Sequence, residues 1–153
     1  MVSIKCGWIG YGVALLVAAT NVHAQGKLGV SDAWVPAAPP GVAMMAGYAK
    51  LKNTGDAPVT VSAVKSDNFH MVSLHETVIE NDVVKMPELQ RLVIAPGETV
   101  SLQRGGKHLM LMHPHHAIAP GDKVAVTFLL DDGTRVETRF DVRAPDSEKS
   151  GDK

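Results

Sequence analysis

The chain has 153 residues and a formal net charge of −1, a length suited to one domain plus any targeting segment. Lys and Arg are scattered among Asp and Glu without a basic stripe, which argues against nucleic acid as a partner. The only cysteine, Cys6, lies ahead of an apolar stretch near the amino terminus.

Residues 1–24 read as a secretory signal. Lys5 sits near the start, an apolar stretch runs from Ile9 to Ala19, and Val22-His23-Ala24 forms a cleavage site before Gln25. Gly10 and Gly12 interrupt the stretch, which is short for a membrane span. Removing it leaves a mature chain with no thiol, which rules out disulfide staples and a blue-copper centre, whose metal needs a thiolate. The expectation is an exported, periplasmic protein with no stable membrane insertion after signal removal.

From 25 to 143 the sequence is rich in Val, Thr and Ala, in short runs bounded by Gly, Pro, Asn and Asp, the pattern of many short strands. Predicted strands are 31–35, 44–51, 59–64, 70–76, 82–86, 90–94, 99–103, 107–112, 124–130 and 135–142. Turn residues separate them, among them Asn53-Thr54-Gly55-Asp56, Glu80-Asn81-Asp82, Gly105-Gly106 and Asp131-Asp132-Gly133-Thr134. This spacing predicts an all-β sandwich or small barrel. Alternation places Val124, Val126, Phe128 and Leu130 on one inward face, and Val100 and Leu102 opposite a solvated Thr99, Ser101 and Gln103. Residues 144–153 carry no large apolar side chain and read as a disordered tail.

The chemistry resides in His75, Met86, His108 and Met110, spaced H-x(10)-M-x(21)-H-x-M. Two imidazoles and two thioethers are a poor site for magnesium or calcium, an unusual one for zinc, and a good one for Cu(I). Strand alternation in Lys107-His108-Leu109-Met110-Leu111-Met112-His113 puts His108, Met110 and Met112 on one face and Leu109 and Leu111 on the core side. The turn at Asn81 offers a way to fold Met86 back toward His75. Any one of these residues alone reads more readily as packing, and it is their joint spacing that points to a metal. Met112 reads as a shield, Met44-Met45 and His70-Met71 as ordinary packing with a hydrophobic rim near the metal as the alternative, and His113, His115 and His116 as solvated loop residues with weak capacity for Cu(II) or zinc. Asp131, Asp132 and Asp141 read as turn and surface positions. No nucleophile elbow, phosphate-cradling loop or H-E-x-x-H helix is present, so an enzyme is not expected.

This spacing resembles the signature of the periplasmic copper chaperone family PCuAC, H(M)-x(10)-M-x(21)-H-x-M. The surrounding text is similar too: Asp32-Ala33-Trp34, Gly47-Tyr48, Leu51-Lys52-Asn53-Thr54-Gly55, Leu74-His75-Glu76 and Gly105-Gly106-Lys107-His108-Leu109-Met110-Leu111. The resemblance spans about residues 28–143. It implies a cupredoxin-like β-barrel that carries one Cu(I) on His75, Met86, His108 and Met110. It also implies delivery to the dinuclear copper centre of cytochrome c oxidase, with the apo copper subunit and a Sco-type thiol chaperone as partners. The residues themselves leave open a copper-buffering or tolerance protein without a specific acceptor. Two positions depart from the family: Glu76 stands where an optional Met follows the first His, and Pro36 where many relatives have Arg.

Overall fold

The computed structural model describes residues 27–39 and 41–145; the signal segment with Cys6, and residues 146–153 of the tail, lie outside them. Every regular element described is a strand: β1 Leu28–Pro36, β2 Met44–Asn53, β3 Val59–Lys65, β4 Phe69–Glu76, β5 Val78–Glu80, β6 Val83–Lys85, β7 Leu92–Ile94, β8 Thr99–Leu102, β9 Lys107–Pro114, β10 Lys123–Leu130 and β11 Arg135–Arg143. All ten predicted strands are present with shifted ends. The additional one is β5, three residues long and too short to show a period.

Nine strands form one sheet in the order β4-β9-β2-β1-β11-β10-β3-β7, with β8 also paired to β2, and β5-β6 stand apart as a hairpin. Strand β2 is the junction. Its first half, Met44 to Gly47, pairs with β9, and its second half, Ala49 to Lys52, pairs with β8. At the other end of the path β3 packs against β4, so the sheet curls into a half-barrel around its inner face. β1 and β11 run parallel, whereas the remaining pairs are antiparallel. A bulge in β1 between Ser31 and Trp34 accompanies the left-handed backbone of Asp32 (φ 48°).

Period-2 alternation fills the core. Val124, Val126, Phe128 and Leu130 are all buried, as the alternation predicts, and Phe128 meets Phe140 with ring centroids 6.4 Å apart. Leu102 is buried and Val100 half-buried on their shared face. Leu109 and Leu111, both fully buried, anchor β9 from the inside. Gly47 eases this: a Cβ there would lie 3.3 Å from Leu109 Cβ and 3.4 Å from Leu111 Cδ1, so a larger residue would press the two leucines by a few tenths of an ångström.

Asn53 is wholly buried and satisfies itself by closing a turn. Its Nδ2 donates to the carbonyls of Ala57 (2.7 Å) and Ile94 (3.0 Å), and its Oδ1 accepts the Gly55 N–H (3.0 Å). Through these bonds the end of β2 is tied to β7. Replacing Asn53 by Ala strips its partner from the buried Ile94 carbonyl, at a cost of about 1–3 kcal/mol, and loses two part-buried bonds besides. Urea denaturation should therefore show a lower midpoint at unchanged slope; an unmoved midpoint would contradict this role.

Candidate metal centre

Strand β9 lies between β4 and β2, and its pairing with β4 sets His75 directly opposite His108. The two imidazoles are stacked, centroids 6.1 Å apart and planes 27° from parallel. One step along the same face, Met110 is flanked by Ser73 on β4 and Ala46 on β2. Leu109 and Leu111 are sealed in the core, so His108, Met110 and Met112 take the outer face, as alternation predicts.

Met86 arrives by a different route. β5 and β6 pair Val78 with Lys85 and Glu80 with Val83, leaving Asn81 and Asp82 as a two-residue turn in which both have positive φ, 51° and 60°. Those values belong to the turn type that matches strand twist, and Asn and Asp tolerate them. The chain then returns beside β4: the Glu76 N–H donates to the Pro87 carbonyl (3.1 Å), the Leu89 N–H to the Leu74 carbonyl (2.7 Å), and Glu88 bridges His75. Met86 thus lies in the connection after β6 and not within a strand, correcting the predicted 82–86 element.

The backbone also orients both rings. His75 Nδ1 lies 2.9 Å from the Met86 carbonyl, and His108 Nδ1 lies 3.0 Å from the Gly106 carbonyl. A carbonyl only accepts, so each Nδ1 carries the proton and each Nε2 presents a lone pair. Carbonyl contacts of this kind fix tautomer and aim in metal-binding imidazoles. The Nε2 of His75 accepts a hydrogen bond from the Ser73 hydroxyl (2.9 Å), which a metal at that nitrogen would displace. Ser73 escaped the reading of the sequence, although its position two residues before His75 on an alternating strand places it on the same face.

Met86, His108 and Met110 line one cavity of about 310 Å³, together with Met44, Met45, Ala46, Tyr48, Thr77, Arg104 and Gly105. His108 is buried (8% exposed) and Met86 is open to solvent (50% exposed), so the cavity has a fixed inner wall and an accessible rim. Tyr48, in its wall, meets Trp34 at a tilt of 49° with ring centroids 5.0 Å apart, and the guanidinium of Arg104 lies 6.0 Å from both rings. The four residues of the spaced motif are therefore brought to one locality. Among the described residues no group of three or more His, Cys, Asp or Glu is placed to hold a metal, so a donor set here relies on thioethers.

The two departures from the family pattern have partners. Glu76 faces Lys107 across the strand pair and binds it at 2.7 Å, next to the His75–His108 row. Pro36 pairs with Arg143, whose guanidinium lies 5.5 Å from the Trp34 ring. The remaining candidates are spread out. Met45 is core, but Met44 and Met71 are 52% exposed and Met44 lines the cavity beside Met86, so for Met44 the rim alternative fits and ordinary packing does not. His113, next to last in β9, has a left-handed backbone, and His70 meets His113 and His115 edge-on at 6.4 and 6.5 Å. Asp131 pairs with Arg91, Asp132 accepts the Thr134 N–H, and Asp141 pairs with Lys123, all in exposed positions. The Lys123 ammonium holds the Asp141 carboxyl below its ordinary range by hydrogen bond and charge.

Two variants probe this geometry. Ser73→Ala removes the hydroxyl from His75 Nε2; if that nitrogen is a copper ligand, then with about 0.5–1.5 kcal/mol per net hydrogen bond, copper affinity should rise roughly two- to tenfold. A fall would mean that the hydroxyl supports the bound state. Asn81→Val places a β-branched residue at positive φ, at about 1–2 kcal/mol of strain. It should weaken copper binding through Met86 while leaving the melting of the main sheet nearly unchanged; equal losses in both would contradict an independent hairpin.

The LpqE-like family model, described as "Putative lipoprotein LpqE-like", matches residues 28–142. A relative from Leifsonia xyli subsp. xyli, "Putative lipoprotein Lxx21020", is 35% identical over 134 residues, covering 86% of this chain and 80% of the relative. Among solved structures, the copper-bound PCuAC domain from PmoF2 is similar at TM-score 0.66 and 23% identity, over 80% of this chain and 97% of that one. The Cu(I) form of DR1885 from Deinococcus radiodurans is similar at TM-score 0.57 and 25% identity, over 80% and 81%. The expected cupredoxin-like all-β fold and the PCuAC resemblance are both borne out: the chain has the fold of the PCuAC domains and belongs to the LpqE-like family.

Proposed function

We propose that this chain is an exported Cu(I) carrier that binds one ion through His75, Met86, His108 and Met110 and gives it up to an apo cuproenzyme. The observation that carries the reading is the His75–His108 pair, with both Nε2 lone pairs free of backbone carbonyls, one strand step from Met110 and beside the returning Met86. Two thioethers favour the reduced ion, and neutral imidazole suits it. Because thioether sulfur has no proton to lose, half of the donor set binds without acid competition.

Accessibility fits a carrier. Transfer without free copper requires an acceptor's ligands to enter while the donor's leave, and the half-exposed Met86 is the ligand positioned to leave first. The resemblance to PCuAC proteins supports the copper subunit of cytochrome c oxidase as the acceptor, with a Sco-type thiol chaperone alongside. The relative described as a lipoprotein is in keeping with export to the periplasm. Residues 1–24 would be removed on export, leaving 25–143 as the copper-binding domain. No side chain is assigned a catalytic role.

Met86→Leu and Met110→Leu nearly conserve volume and should fold normally. Each should weaken Cu(I) binding by at least about tenfold in competition with a chromogenic chelator, since even outer partners of a metal site contribute 10–100-fold. Unchanged affinity in both would replace a metal site with a packing module. In cells, deletion should lower copper loading of a respiratory oxidase under copper limitation, and added copper should relieve the defect. Intact oxidase with copper-sensitive growth would instead establish a buffering role.

A further inference from the structure

The sheet register aligns three more methionines that the His–Met site does not use. Met44 on β2 and Met71 on β4 are each the direct cross-strand partner of Met112 on β9. Directly opposed residues share a face, with Cβ atoms about 4.5–5.5 Å apart. Three thioethers thus form a row across three neighbouring strands, with Met112 in the centre. The row lies two residues from Met110, roughly 7 Å along the strand.

Packing does not account for this row. Met44 and Met71 are 52% exposed and Met112 is half-buried, so these side chains gain little from burial. The sequence has seven methionines, and apart from Met1 and the core residue Met45 the other five are Met44, Met71, Met86, Met110 and Met112. Met44, Met71, Met110 and Met112 occupy the outer face of β2, β4 and β9, and Met86 borders it. Unbranched, with three rotatable bonds, methionine lets neighbouring sulfurs converge on a common point. Neutral thioethers select a soft ion such as Cu(I) over hard, oxygen-seeking cations.

We infer that Met44, Met71 and Met112 form a second Cu(I) site, built of thioethers alone and adjoining the His–Met site. Met44 links the two, since it lines the same cavity as Met86, His108 and Met110. An ion can pass between them by exchange of one neutral sulfur for another, with no proton moved and no change of oxidation state. The row shares no ligand with His75, Met86, His108 and Met110, so the two assignments stand or fall separately.

The test is NMR of the full mature chain with methyl-¹³C methionine, titrated with Ag(I) as an air-stable, diamagnetic soft ion and repeated anaerobically with Cu(I). Two equivalents should bind, with the Met44, Met71 and Met112 methyl signals moving together and those of Met86 and Met110 forming a second group. In the M86L/M110L variant the three-methionine group should still respond. In M44L/M71L/M112L, whose changes nearly conserve volume at mostly exposed positions, one equivalent should remain and move only Met86 and Met110. The inference is overturned if the three methyls stay unmoved in the wild type and in M86L/M110L. If they move while Met86 and Met110 do not, the second site stands and the His–Met assignment falls.

Discussion

The register between β4 and β9 is the constraint on which the rest depends. Because side chains alternate along a strand, slipping this pair by one residue would send His108 and Met110 into the core and expose Leu109 and Leu111. The two fully buried leucines therefore specify the position of the histidines as firmly as any bond to the rings does. Gly47 allows the close approach of β2 that seals those leucines, and the Glu76–Lys107 pair closes the neighbouring row. Burial of apolar surface on one side of the sheet thereby fixes the positions of His75, His108 and Met110, the proposed ligands, on the other.

Met86 is held on different terms. It is attached through the β5-β6 hairpin and a few backbone bonds to β4, with little apolar burial: Ile79, Val83 and Val84 are all exposed. Segments with few buried contacts open at lower free energy than the core. The proposed site joins two imidazoles and a thioether on a rigid sheet to one thioether on a lightly held connection, an arrangement that would bind tightly and yet release by losing a single ligand. The Ser73 hydroxyl rests on His75 Nε2, the nitrogen that the proposed site would give to copper.

Much of this was legible in the sequence, for reasons that are local. The alternation in 107–113 and 124–130 told inside from outside because those strands have one buried face, and the Asn81-Asp82 pair announced a hairpin because few other residues accept its backbone. What was not legible depended on pairing between distant segments. Nothing near Met44 or Met71 states that both lie opposite Met112, so the sequence did not decide between ordinary packing and an exposed rim. The turn at Asn53 was visible, but its reach to the Ile94 carbonyl was not, because that contact spans 41 residues. The parallel pairing of β1 with β11 and the division of β2 between β8 and β9 are likewise global properties.

The most direct test of the central claim is the X-ray absorption spectrum of the mature protein holding less than one equivalent of Cu(I). The account predicts a mixed shell in which thioether sulfur and imidazole nitrogen both scatter, with the nitrogen contribution lost in a His75→Ala/His108→Ala variant. A shell of nitrogen and oxygen alone, or one unchanged by removal of both histidines, would contradict it.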